Sequence, residues 1–197
     1  MNRNLTKNDH PLNNTSGWKE EIDESILESF RFAEGRRFHN VDVPYFLAND
    51  KEEILRLQMH YYLYNHIWQS IYSSPLHERL ESEKLRVLDS GCGPGSWILD
   101  MANSYKTSSF VGVDLSPSMF PSSRNKSTPD NVVFLERNII DGFPFPNETF
   151  DFVRQGFMNF SFTKKHWQDV ILDIIRITKP GGWIEFMVGY LIITLYR

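Results

Sequence analysis

From residue 85 onward, short apolar runs alternate with segments of helical or loop character. LRVLD (85–89), SFVGVD (109–114), NVVFLE (131–136), TFDFVRQ (149–155) and GWIEFMV (182–188) each have the length and apolar content of a buried strand. A helix over 96 to about 105 and another over about 165–178 fall between them, the second closed by Lys179-Pro180-Gly181-Gly182. Strands joined by such crossovers predict an α/β fold with a Rossmann-like, doubly wound parallel sheet. Upstream, Ile54, Leu57, Tyr61, Tyr64, Trp68 and Ile71 recur at alternating three- and four-residue steps, one apolar face of a helix of about five turns. Asp50 with Glu53 makes a capping-box-like start for it, and Ser73-Ser74-Pro75 a stop. Residues 1–34 are rich in Asn, Lys, Glu, Ser and Thr and lack the apolar content for a core, although a short helix over 24–32 is compatible with the pattern. The expected organisation is a flexible lead-in (1–34), a helical extension (35–84) and a sheet domain (85–197).

Composition narrows the class. The 197 residues are 41% hydrophobic and 23% charged, the balance of one globular domain with a modest extension. A net charge of -4 gives no electrostatic footprint for a nucleic-acid backbone, and basic clusters such as Arg36-Arg37 and Lys164-Lys165 are short. Cys92 is the only cysteine, so there is no disulfide framework, thiolate zinc site or three-cysteine iron–sulfur ligation. The six His residues show no ligand spacing, so no metal is expected. A reducing, intracellular compartment fits, cytoplasm or nucleus. The first thirty residues lack a secretory apolar segment. The apolar stretch over 186–196 is eleven residues long, short of the roughly 20 that span a membrane, and reads as buried strand.

The strongest chemical signal is VLDSGCGPGSW (87–97), where an apolar strand ends in Asp89 and runs through Gly91, Gly93 and Gly95 into a helix. Glycines there permit positive φ and close approach of backbone to a ligand, while the new helix offers free N–H groups. A nicotinamide enzyme would show G-x-G-x-x-G, and Ser96 stands where its last glycine would fall. The second strand ends in Asp114, nineteen residues after Gly95, about where an acidic residue on a ribose is expected. The competing role for Asp114 is to cap the SPSMF turn that follows.

VLDSGCGPG, VGVDLSPS, ERNIIDGFPFPNETFDFVRQ and ITKPGGWIEFM together resemble the successive motifs of class I S-adenosylmethionine (SAM) dependent methyltransferases. GRRFHNVDVPYFLANDKEEILRLQMHYYLYNHIW resembles the segment preceding that domain in fungal LaeA-like methyltransferases. The resemblance implies SAM as cofactor. It implies that Gly91, Cys92 and Gly93 line the methionine moiety, with Asp89 and Gly95 also counted among the cofactor-binding residues, and that Asp114 and Leu115 hold ribose and adenine. Asn138 and Ile139 would meet the adenine edge, with Asn138 standing where the family commonly has Asp, and Gln155 would lie under the methionine. The family's antiparallel hairpin after the fifth strand has only GYLIITLYR (189–197) to form from, so the C-terminal hairpin is expected to be missing and the fifth strand to lie at an open edge unless the tail folds back on it.

Catalytic residues are not identified by the sequence, because methyl transfer from a sulfonium is an in-line displacement governed mainly by positioning. Tyr45, His60, Tyr61, Arg154 and Asn159 are candidates to face the cofactor. Cys92 has no His nearby in sequence and reads as a small loop residue beside the ligand. The leading expectation is an enzyme methylating a small molecule or a protein side chain. The alternative is a SAM-binding or inactive regulatory protein acting through partners.

Overall fold

In a computed structural model of the protein, residues 30–40, 46–121, 128–189 and 191–197 are described. The chain enters as a hairpin that the sequence pattern did not suggest, β1 (Phe30–Ala33) against β2 (Arg36–His39), reversing at Glu34 and Gly35, both with positive φ. Residues 30–33 are therefore strand, which corrects the flexible lead-in at its end and the short helix at 30–32; residues 24–29 lie outside those described. Arg36 donates to both carboxylate oxygens of Asp50, and Asp50 Oδ1 accepts from Glu53 N at 3.0 Å as the N-cap of α1 (Lys51–Trp68). The hairpin is thus tied to the start of the first helix. The predicted stripe on α1 faces inward, where Tyr61 is buried and its hydroxyl donates to Asp100 Oδ2 at 2.7 Å. The opposite face is also apolar, with Leu55, Met59, Tyr62, Leu63 and Ile67 exposed. A short helix, α2 (His77–Ser82), follows and contributes Leu80, with Leu76 before it, to the core.

The sheet contains β3 (Arg86–Ser90), β4 (Ser109–Asp114), β5 (Val132–Glu136), β6 (Phe150–Gly156), β7 (Thr178–Val188) and β8 (Leu191–Tyr196) in the order β5-β4-β3-β6-β7-β8. The first five are parallel, as the alternation predicted, with α3 (Ser96–Ser104) and α4 (Lys164–Ile177) among the crossovers. Successive side chains leave a strand on opposite faces, so Val87 and Phe152 pack with Tyr61, Leu80, Trp97 and Met101, while Leu88 and Val153 pack with Val170, Ile174 and Ile177 of α4. Helices therefore cover both faces, and β3 is the strand from which the order runs outward in both directions. In such sheets the crevice beyond the strands' C-terminal ends at that reversal takes the ligand.

The C-terminal expectation is corrected. The tail folds back through Gly189 (φ +58) and β8 pairs antiparallel along β7, Val188 opposite Leu191 through Trp183 opposite Tyr196. The fifth parallel strand is covered, and the six residues of β8 form a hairpin with it. The stretch 186–196 is consequently not one buried strand: its second half is an edge with Leu191, Ile193, Leu195 and Tyr196 exposed. The described residues contain no helix long and apolar enough to cross a membrane and no cluster of three or more His, Cys, Asp or Glu placed to hold a metal.

Candidate active site

The glycine loop sits between β3 and α3 and is clamped to its neighbour by backbone: Gly91 N and Cys92 N both donate to Val113 O, at 2.8 and 3.0 Å. Gly91 has φ +74, so the position favours glycine for its backbone, and a Cβ there would lie 2.6 Å from Met158 Sδ and push that flexible side chain aside. Gly93 N donates to Asp114 Oδ2 at 2.8 Å, and Ser116 N donates to Asp114 Oδ1 at 2.9 Å. Asp114 therefore does cap the turn after β4, and it also fastens the glycine loop. A carboxylate offers about four acceptor positions, and with Leu115 N also drawing on it there is room left for about one ligand hydroxyl. Burial pushes the Asp114 carboxyl up, while the N–H groups of Ser116, Gly93 and Leu115 hold it down.

These groups border a cleft of about 550 Å³, within the roughly 300–1,000 Å³ of small-ligand sites. Of the residues that the sequence singles out, Asp89, Gly91, Cys92, Gly93, Asp114, Leu115, Asn138 and Ile139 lie on its wall. Gly95 and Gln155 do not. Gly95 is the N-cap of α3 (φ +77), where its role is to start the helix. Gln155 is buried in register with Ser90, with both atoms of its side-chain amide unpartnered. Asn138 Oδ1 accepts from Ile140 N at 3.3 Å, which fixes the short turn after β5. Cys92 is buried, and enclosure together with the Asp114 and Asp89 charges raises its thiol well above the usual range, the reverse of an activated nucleophile.

Across the cleft the wall is aromatic. His60 lies edge-on to Phe157, ring centroids 4.3 Å apart, and Tyr64 meets the same ring at 4.9 Å. Phe157 has φ +59, a conformation that costs a bulky residue about 1–2 kcal/mol, and its N–H donates to Met187 O at 2.8 Å. Burial and then Arg56 lower the His60 pKa, favouring the neutral imidazole. Arg154 and Asn159 also reach the wall; Asn159 Oδ1 is buried without a partner. Tyr61 lines the floor with its hydroxyl committed to Asp100. Tyr45 lies outside the described residues. Sequence reasoning missed Phe157, Met158, Phe160 and Phe162, whose run GFMNFSF has no period to mark it and whose partners on α1 are about a hundred residues away.

Comparison with known proteins agrees with this geometry. Residues 87–182 match the methyltransferase-domain family. The chain is 30% identical over 155 residues to the N-methyltransferase sirN of Leptosphaeria maculans, covering 77% of this chain and 52% of that one. It is 31% identical over 151 residues to the N-methyltransferase gliN of Aspergillus fumigatus, covering 75% and 51%. It thus spans about half the length of the curated relatives it matches. Among solved structures, a SAM-dependent methyltransferase from Aquifex aeolicus superposes with a TM-score of 0.50 at 18% identity, over 70% of this chain and 72% of that one, a likeness of fold. Residues 87–182 thus match the methyltransferase-domain family, and the sheet around them has the fold of a SAM-dependent methyltransferase.

Proposed function

We propose that the protein transfers a methyl group from SAM to a nitrogen of a small-molecule acceptor. The observation that carries this reading is the Asp114 carboxylate, at the C-terminal end of β4 on the cleft wall, with acceptor capacity left beyond the N–H groups of Gly93, Ser116 and Leu115. In the proposed arrangement Asp114 takes a ribose hydroxyl, Gly91–Gly93 follow the methionine chain, and Leu115, Asn138 and Ile139 enclose the adenine. When bound, SAM supplies a methyl group on a sulfonium, ready for in-line displacement. The chain's own residues orient the acceptor and exclude water. The neutral His60 imidazole is placed to take a proton from an acceptor N–H, and Asn159 Oδ1 to receive a hydrogen bond from it. The names of sirN and gliN support nitrogen as the methylated atom. The resemblance of the 35–68 segment to fungal LaeA-like methyltransferases supports a fungal setting inside the cell.

The test is incubation with methyl-labelled SAM and a fungal small-molecule extract. Label should enter small molecules, and Asp114→Ala should abolish most of the incorporation. Label found only in protein would sink the acceptor class proposed here.

A further inference from the structure

Arg154 stands on β6 between two carboxylates in register, Asp89 on β3 and Glu185 on β7. It is 5% exposed, yet it borders the cleft. Nη1 donates to Asp89 Oδ1 at 3.1 Å, Nη2 lies 3.7 Å from Met187 Sδ, and Nε has no partner. The guanidinium carbon lies over the Trp97 ring, 4.6 Å from its centroid, and a Cβ on Gly156 would come within 2.7 Å of Nη2, so the small residue two positions on leaves it room. Glu185 uses Oε2 on Ser73 N, Ser74 N and Ser74 Oγ, leaving Oε1 unpartnered. A buried ion pair brings little stability over apolar packing of the same shape, and a guanidinium with donors unused beside a cavity is suited to an anionic acceptor.

We propose that Arg154 is a cofactor-binding residue that receives the α-carboxylate of SAM while Asp89 receives its α-ammonium. The inference rests on the reading of the cleft as the SAM site. The amino-acid end of SAM is a zwitterion, and the Asp89–Arg154 pair, beside Gly91–Gly93, presents the two opposite charges side by side in an enclosed setting where each is strengthened. The planar fork can bind a carboxylate through two N–H groups, which an ammonium head cannot do.

The experiment is calorimetric titration of the full chain and of Arg154→Gln and Arg154→Lys with three ligands. These are S-adenosylhomocysteine, its decarboxylated analogue with the ammonium alone, and 5′-methylthioadenosine, which lacks the amino-acid end. In the unmodified protein, loss of the ligand's carboxylate should weaken binding by about tenfold or more. Arg154→Gln should remove that difference, weakening S-adenosylhomocysteine by about 10–100-fold and methylthioadenosine by less than about threefold. Arg154→Lys should retain part of the preference. Equal losses for all three ligands in Arg154→Gln would show that the side chain serves only Asp89 and Glu185 and overturn the assignment. Should the variants fail to fold, equal affinity of the unmodified protein for the carboxylated and decarboxylated ligands overturns it without them. Binding of methylthioadenosine without preference for S-adenosylhomocysteine would leave the SAM reading standing and this assignment fallen; binding of none of the three would end both.

Discussion

The two walls of the cleft are made in different ways. The wall proposed for the cofactor comes from the ends of β3 and β4 and the turn after β5, and backbone N–H groups hold it: those of Gly91 and Cys92 on Val113 O, those of Gly93 and Ser116 on the Asp114 side-chain carboxylate. The opposite wall comes from α1 and residues 157–162, and side-chain rings hold it, His60 and Tyr64 against Phe157. Backbone hydrogen bonds in a parallel sheet leave little freedom of position. Ring contacts are each worth about 0.5–1.5 kcal/mol and can be rebuilt by exchanging side chains. The first construction suits a ligand held in one fixed pose, and the second suits one whose shape is met by the choice of side chains.

Substitutions should separate the walls. The largest effect on cofactor binding is expected from Asp114→Ala, which removes the proposed ribose acceptor and the latch on Gly93 together; S-adenosylhomocysteine affinity should fall by about 10–100-fold in calorimetry, and unchanged affinity would break the comparison. Gly91→Ala forces a side chain onto φ +74 and against Met158. It should lower unfolding free energy by about 1–3 kcal/mol, read by denaturant titration, with a weaker loss of affinity; a neutral result would show that the loop is less constrained than its geometry indicates. Asp89 supplies a pH signature. Burial lifts its carboxyl to about 6 against the pull of Arg154, so between pH 4 and 6 the native state binds more protons than the unfolded chain, and this group's contribution to stability falls by on the order of 3 kcal/mol as pH rises through that window. For binding the sign reverses: protonation of Asp89 below about pH 6 should weaken a ligand carrying an ammonium and spare methylthioadenosine. A parallel pH profile for both ligands would separate Asp89 from the amino-acid end. The smallest effect on the cofactor is expected from Phe157→Gly, which relieves a strained φ as it removes ring packing. S-adenosylhomocysteine affinity should change by less than about threefold while methyl transfer to the acceptor drops through KM, and a cofactor loss as large as that of Asp114→Ala would erase the distinction between the walls.

The same contrast explains what was legible in the sequence. The five parallel strands, the helix after the glycine loop and the acid on the second strand are encoded in short-range spacing, because a strand must be apolar along its own length and a loop needs its own glycines. Asp89, Gly91, Cys92, Gly93, Asp114, Leu115, Asn138 and Ile139 meet on one wall for that reason. Gly95 and Gln155 belong to the same motifs but serve the helix start and the interior. The β1–β2 hairpin was hidden because its strands are four residues each and charged. Strand β8 required knowing that Gly189 reverses the chain. The aromatic wall left no local trace, since His60 and Phe157 meet only after the sheet has brought α1 and β6 together.

The central claim is that the backbone-held wall takes SAM. Calorimetric titration of the unmodified protein with S-adenosylhomocysteine and, separately, with NAD tests it most directly: a single site for the first and no binding of the second is the predicted result, and NAD binding, or no binding of S-adenosylhomocysteine by folded protein, would contradict it.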